Sequence, residues 1–69
     1  MYGLTPREEE VWKLLSEGYD NQVIANKLSI TIKAIDQHCR LIYDKIRVEN
    51  DFTGRNPRVY VANLYWKRG

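Results

Sequence analysis

Residues 29–46 read SITIKAIDQHCRLIYDKI, and the periodicity of this stretch decides the fold. Its apolar residues Ile32, Ile35, Cys39, Ile42 and Ile46 are spaced three, four, three and four apart. That spacing draws one stripe down a helix of about 3.6 residues per turn, whereas a strand needs alternation by two. Lys33, Asp36, Gln37, Arg40 and Asp44 fall on the opposite side. Either Ser29 or Thr31 can cap the free amides at the start. The pattern predicts a helix over residues 32–46 with one buried face and one face of long polar side chains.

Working outward, Asp20 or Asn21 can cap a second helix over residues 23–28, with Val23, Ile24 and Leu28 on its inner side. Only Ser29-Ile30-Thr31 separates it from the third. Further upstream, Thr5-Pro6-Arg7-Glu8 combines a capping residue, a proline suited to the first helical position and the capping-box spacing. Glu8, Glu9 and Glu10 suit the positive end of a helix dipole and need no role beyond that and solubility. Val11, Trp12, Leu14 and Leu15 form the stripe of this first helix, centred on residues 11–15, and Gly18 stops it. Downstream, periodicity fades from Arg47 to Asn56, which reads as a loop. Asn56-Pro57 is a second start signal, opening a helix over residues 59–66. Val59-Tyr60-Val61 is locally strand-like but follows that start. The expected fold is all-α, a three- to four-helix bundle forming a single domain over residues 1–69.

A chain of 69 residues encloses a modest core, which leaves little room for the deep pocket of an enzyme. Cys39 is the only cysteine, so neither an internal disulfide nor a multi-cysteine metal site can form, and no cofactor is expected. The single cysteine, the absence of a signal-peptide pattern and the lack of a long apolar run fit a soluble, cytoplasmic protein with no membrane partner. Residues 1–32 hold three basic and five acidic side chains, net −2, and residues 33–69 hold eight and four, net +4. Such asymmetry is compatible with one face meeting a polyanion and equally with ordinary solvated surfaces. His38 stands at the border of the core and outer faces without a second catalytic group at a useful spacing, so no catalysis is expected.

Two short helices joined by a tight turn, the second polar outside, make a helix-turn-helix. On pattern alone many small bundles share it. The run from Leu4 to Val48 resembles the LuxR-type, or GerE-like, DNA-binding domain of bacterial transcription regulators. The matching residues are Leu4-Thr5-Pro6-Arg7-Glu8, Val11, Leu14-Leu15, Gly18, Asn21, Ile24-Ala25, Leu28, Ser29-Ile30, Ile35, His38, Ile42, Lys45 and Val48. The resemblance implies a four-helix fold whose third helix enters the major groove and whose fourth forms a dimer contact. It also exposes departures. Ala34-Ile35-Asp36 stands where the family has Thr-Val-Lys, Gln22-Val23 stands for Lys-Glu, and Asp51-Phe52-Thr53-Gly54 lengthens the last loop.

The expectation is sequence-specific binding of double-stranded DNA by a small transcriptional regulator, a stand-alone one given Met1 just before the motif. Gln37 and Arg40 are the candidate base readers, since glutamine pairs with adenine and arginine with guanine. Lys33, Lys45, Asn21 and Thr31 are candidates for holding the phosphate backbone. Asp36 admits three roles: cytosine reader, solvated bystander or contact with a protein partner. Tyr60, Leu64 and Trp66 on the last helix are candidates for homodimerisation. The rival reading is a protein-interaction module on the same fold that binds a transcription factor or polymerase subunit, to which Ala34, Asp36 and Val23 lend weight.

Overall fold

The computed structural model describes residues 2–67; the ends of the expected domain, Met1 and Arg68-Gly69, lie outside them. Within the described residues there are four helices and no strand: α1 (Pro6–Ser16), α2 (Asn21–Leu28), α3 (Ile32–Arg47) and α4 (Pro57–Lys67). Each helix starts where its sequence supplies acceptors for the unpaired first-turn amides. At α1 the full capping box forms. Thr5 Oγ1 accepts from the Glu8 amide at 3.2 Å, and Glu8 Oε1 accepts from the Thr5 amide at 2.8 Å. Of the two candidates for α2, Asp20 is the cap, its Oδ1 accepting from the Val23 amide at 3.0 Å. Thr31, not Ser29, caps α3 through the Ala34 amide at 3.1 Å. Asn56 Oδ1 serves α4, accepting from the amides of Arg58 and Val59. The strand-like Val59-Tyr60-Val61 lies inside that helix.

Ser29 ends α2 in the left-handed region, at φ 56 and ψ 41. The chain reverses there, and the Ile30 amide donates back to the Ala25 carbonyl at 3.0 Å. This turn fixes the angle between α2 and α3. Gly18, at φ +92, makes the corresponding break after α1, where a side chain would be strained.

The core is one cluster drawn from every element: Val11, Trp12 and Leu15 of α1, Ile24 and Ala25 of α2, Ile35, Cys39, Ile42 and Ile46 of α3, and Val61 of α4. Cys39 packs as a small apolar residue, as its place on the stripe implies. Ile32 departs from the expected stripe. It is the first residue of α3 and is 41% exposed. Trp12 sits at the centre of the cluster, with its indole N–H donating to the Val61 carbonyl at 2.8 Å.

Two residues outside the expected core complete it. Phe52, in the loop that showed no period, is 3% exposed and stacks on Tyr60 at a ring separation of 4.7 Å, with the Arg47 guanidinium 4.8 Å from its ring centroid. Glu8 is 3% exposed, and its Oε1 receives the Lys45 ammonium at 2.7 Å. The same ammonium reaches the Gly3 carbonyl at 3.3 Å. Burial pushes the Glu8 carboxyl upward, but the hydrogen bonds from Lys45 and Thr5 and the lysine charge outweigh it and hold the group below its ordinary value of 4.5.

A carboxyl whose folded pKa is depressed contributes stability above its unfolded value and loses it as pH falls. Lys45→Met removes the cation and leaves a buried charge unpaired, so it should cost about 2 kcal/mol at neutral pH. Urea denaturation of both proteins should show that deficit shrinking as the pH is taken below 4.5, where the carboxyl becomes protonated. A constant deficit would mean that the pair does not stabilise the fold through its charge. Phe52→Ala should lower stability by about 3 kcal/mol in the same assay, because it empties a buried aromatic site.

Candidate nucleic-acid interface

The outer face of α3 begins at Lys33, two residues after the Thr31 cap. Lys33, Asp36, Gln37 and Arg40 are all exposed and together line one shallow depression. They are brought together by helical geometry, since residues three and four apart are neighbours on a helix surface. Opposite them Ile35 and Cys39 anchor the helix in the core, so the face is presented by a rigid element. Thr31 stands at the edge of the same surface, with its hydroxyl oxygen already accepting from Ala34.

Asn21, the first residue of α2, joins this surface through its side chain. Its Nδ2 donates to Asp36 Oδ1 at 2.6 Å. Its Oδ1 accepts from the Arg58 guanidinium at 2.7 Å, and the second guanidinium nitrogen of Arg58 donates to the Tyr19 carbonyl at 2.6 Å. The amide orientation is dictated by its neighbours. An oxygen must face the guanidinium, which only donates, and a nitrogen must face the carboxylate, which only accepts. A continuous line therefore runs from α4 through α2 to the outer face of α3.

Arg58 is absent from the candidates read in the sequence, although one signal was available. It stands in the first turn of α4, where a cation opposes the helix dipole, and such a placement calls for acceptors outside the helix. Its charge also bears on two side chains of α3. Burial is the main cause that pushes the Cys39 thiol and the Tyr43 phenol up from their ordinary values, and Arg58 acts against it in both. His38 is half-buried between the faces as expected, and its Nδ1 lacks a hydrogen-bond partner among the described residues.

Lys45 is placed away from this face. Its ammonium is committed to Glu8 and Gly3 at the foot of α1. On α4 the three candidates differ among themselves. Tyr60 is half-buried against Phe52 and Leu64 is half-buried, while Trp66 is 62% exposed, its indole N–H donating to the Ser16 carbonyl at 3.1 Å. Val59, one residue before Tyr60 and two turns before Trp66, is 57% exposed and shares the outer side of the helix with it.

Comparison with known proteins covers α1 to α3. The model of the luxR family of bacterial regulatory proteins matches residues 2–53, from before α1 to the loop that holds Phe52. The chain belongs to that family. Its relatives include the response regulator protein VraR of Staphylococcus aureus and of Staphylococcus epidermidis, each 43% identical over 47 residues, which is 68% of this chain and 22% of theirs. A probable transcriptional regulator, ycf29, of Guillardia theta is 32% identical over 47 residues, which is 68% of this chain and 23% of that protein. The chain thus spans less than a quarter of the length of these curated relatives. No solved structure matches it significantly. The luxR-family match covers the helix-turn-helix of α2 and α3, and α4 lies beyond it. None of the helices among the described residues is long and apolar enough to cross a membrane.

Proposed function

We propose that this luxR-family domain binds duplex DNA sequence-specifically in the cytoplasm as part of transcriptional regulation, with α3 lying in the major groove. One observation carries the reading. Lys33, Gln37 and Arg40 stand side by side on an exposed helix face that begins directly after a short capped turn, and α2 braces that helix from behind. A recognition helix needs this arrangement, because its first turns are the part that reaches base edges. Gln37 and Arg40 are assigned to bases. Lys33, Thr31 and the main-chain amides at the start of α3 and of α2, next to Asn21, are assigned to the phosphate backbone. Lys45 is given no share, since Glu8 holds its ammonium.

If about three phosphates are neutralised, affinity for mixed-sequence duplex should fall roughly 40-fold between about 50 and about 200 mM salt. Following backbone amide NMR shifts during titration with short duplex should place the changes at residues 31–41 and show them fading with salt. Arg40→Ala should cost about 1–3 kcal/mol against the preferred site while leaving weak non-specific binding in place. A protein without shifts at low salt does not bind DNA. The fold would then serve a protein partner of the transcription machinery, and Asp36 and Val23 would belong to that contact.

The exposed outer side of α4, with Val59 and Trp66, supports homodimerisation through residues 57–67, with Leu64 and Tyr60 at the margin. Light scattering over a concentration series should show the mass rising toward twice the monomer, and Trp66→Ser should shift that rise to higher concentration. A mass independent of concentration removes the dimer.

A further inference from the structure

We infer that Arg58, on α4, is a positioning residue for the DNA face: through Asn21 it fixes the Asp36 carboxylate so that the free oxygen of Asp36 reads a cytosine. The inference rests on the DNA-binding reading above and adds a specificity determinant to it. An exposed aspartate on a helix ordinarily samples its rotamers freely. Asp36 does not stand alone, because its Oδ1 takes the Asn21 amide at 2.6 Å. Asn21 in turn is held from the other side by Arg58, which is itself anchored on the Tyr19 carbonyl. The half-buried guanidinium thus makes two bonds on two different groups of the α1–α2 connection and the α2 start, and turns Asn21 into a fixed donor.

The chemistry of the free oxygen follows. With Oδ1 held by Asn21, Oδ2 is the Asp36 oxygen left without a partner among the described residues, on a side chain flanked by Lys33 and Arg40 in the same depression. A lone acceptor in the major groove seeks an exocyclic amine and is repelled by other acceptors. Guanine offers O6 and N7 there and thymine offers O4, so both are rejected. In a duplex the adenine N6 amine lies between two acceptors, its own N7 and the paired thymine O4, whereas the cytosine N4 amine has an acceptor, the paired guanine O6, on one side only. Cytosine is therefore the base that fits. Arg40, four residues on, then faces a neighbouring position suited to guanine.

The test combines two measurements on the full chain. Selection from a randomised duplex pool should show the parent protein demanding cytosine at one position. Asp36→Ala, Asn21→Ala and Arg58→Met should each relax that demand about tenfold, the size of one lost specific contact, at that position and no other. Thermal melts accompany the series, and Asn21→Ala keeps the test alive where Arg58→Met fails to fold. Three-bond couplings across the Asp36 side chain, measured without DNA, should report one rotamer in the parent and averaging in both relay variants. A parent-like base preference in Asn21→Ala and Arg58→Met, or an unchanged single rotamer in either, overturns the relay. An unaltered preference in Asp36→Ala overturns the cytosine assignment. A parent protein that binds no duplex at all overturns the DNA reading, and the couplings alone then decide whether Arg58 positions Asp36.

Discussion

The hydrogen bond from the Trp12 indole to the Val61 carbonyl is the constraint on which the rest of the arrangement depends. Trp12 has no exposed surface, so its N–H must find an acceptor inside the protein. The acceptor is a main-chain carbonyl in the middle of α4, at 2.8 Å. The ring is then gripped edge-on by Tyr2 at 5.9 Å and Tyr65 at 5.1 Å. A helix of 11 residues is too short to persist alone in water, so α4 owes its existence to this docking. Sliding α4 by one residue would turn Val61 out of the core and take its carbonyl away from the indole. The register of α4 against α1 is therefore fixed, and with it the point at which Arg58 reaches the α2 start.

The elements visible in the sequence are those whose causes are local. The stripe of α3, the Thr5–Glu8 capping box and the Asn56-Pro57 start each act over a few residues, and all three are found where the sequence places them, save Ile32 at the exposed end of the stripe. What was illegible acts at long range. Glu8 and Lys45 are 37 positions apart, and nothing in either neighbourhood marks them as a pair. Glu8 read as one of three solubilising acids, yet it alone of them is buried. Phe52 lay between turn-forming residues, where one aromatic shows no period, and its burial depends on Tyr60 arriving from α4. The outer face of α3 was legible as a set of residues. Its link to Arg58 was not, because 37 residues separate Arg58 from Asn21.

The Glu8–Lys45 pair also bears on how the candidate face is built. Lys45 lies on α3, the helix that carries Lys33 and Arg40, and Glu8 ties it to the foot of α1. The first turns of α3 present one face outward while Ile35 and Cys39 hold them from behind, and its C-terminal turns are bound down further by this ion pair and by Ile42 and Ile46. One helix thus divides its faces between presentation and anchorage. Fixed anchorage matters for a face of few side chains, because each contact retains its full value only when the groups that make it are already in place.

An acid on a face assigned to DNA must still be reconciled with phosphate charge. Asp36 is exposed, so its repulsion of a phosphate acts through water, at about 1 kcal/mol for a 4 Å approach, and decays over a screening length of about 8 Å at physiological salt. Lys33 and Arg40 lie three residues before it and four after it, on the same face, and each offers an attraction of the same order. Two cations against one anion leave the face net positive. A single carboxylate on such a face would therefore lower general affinity for DNA without abolishing it. At a base edge the balance differs, because there the acceptor meets a specific donor or a specific acceptor at contact distance. On the proposed reading, the same side chain that weakens binding to every sequence alike would then separate one base from three others. Holding that side chain in one orientation is what turns a general cost into discrimination.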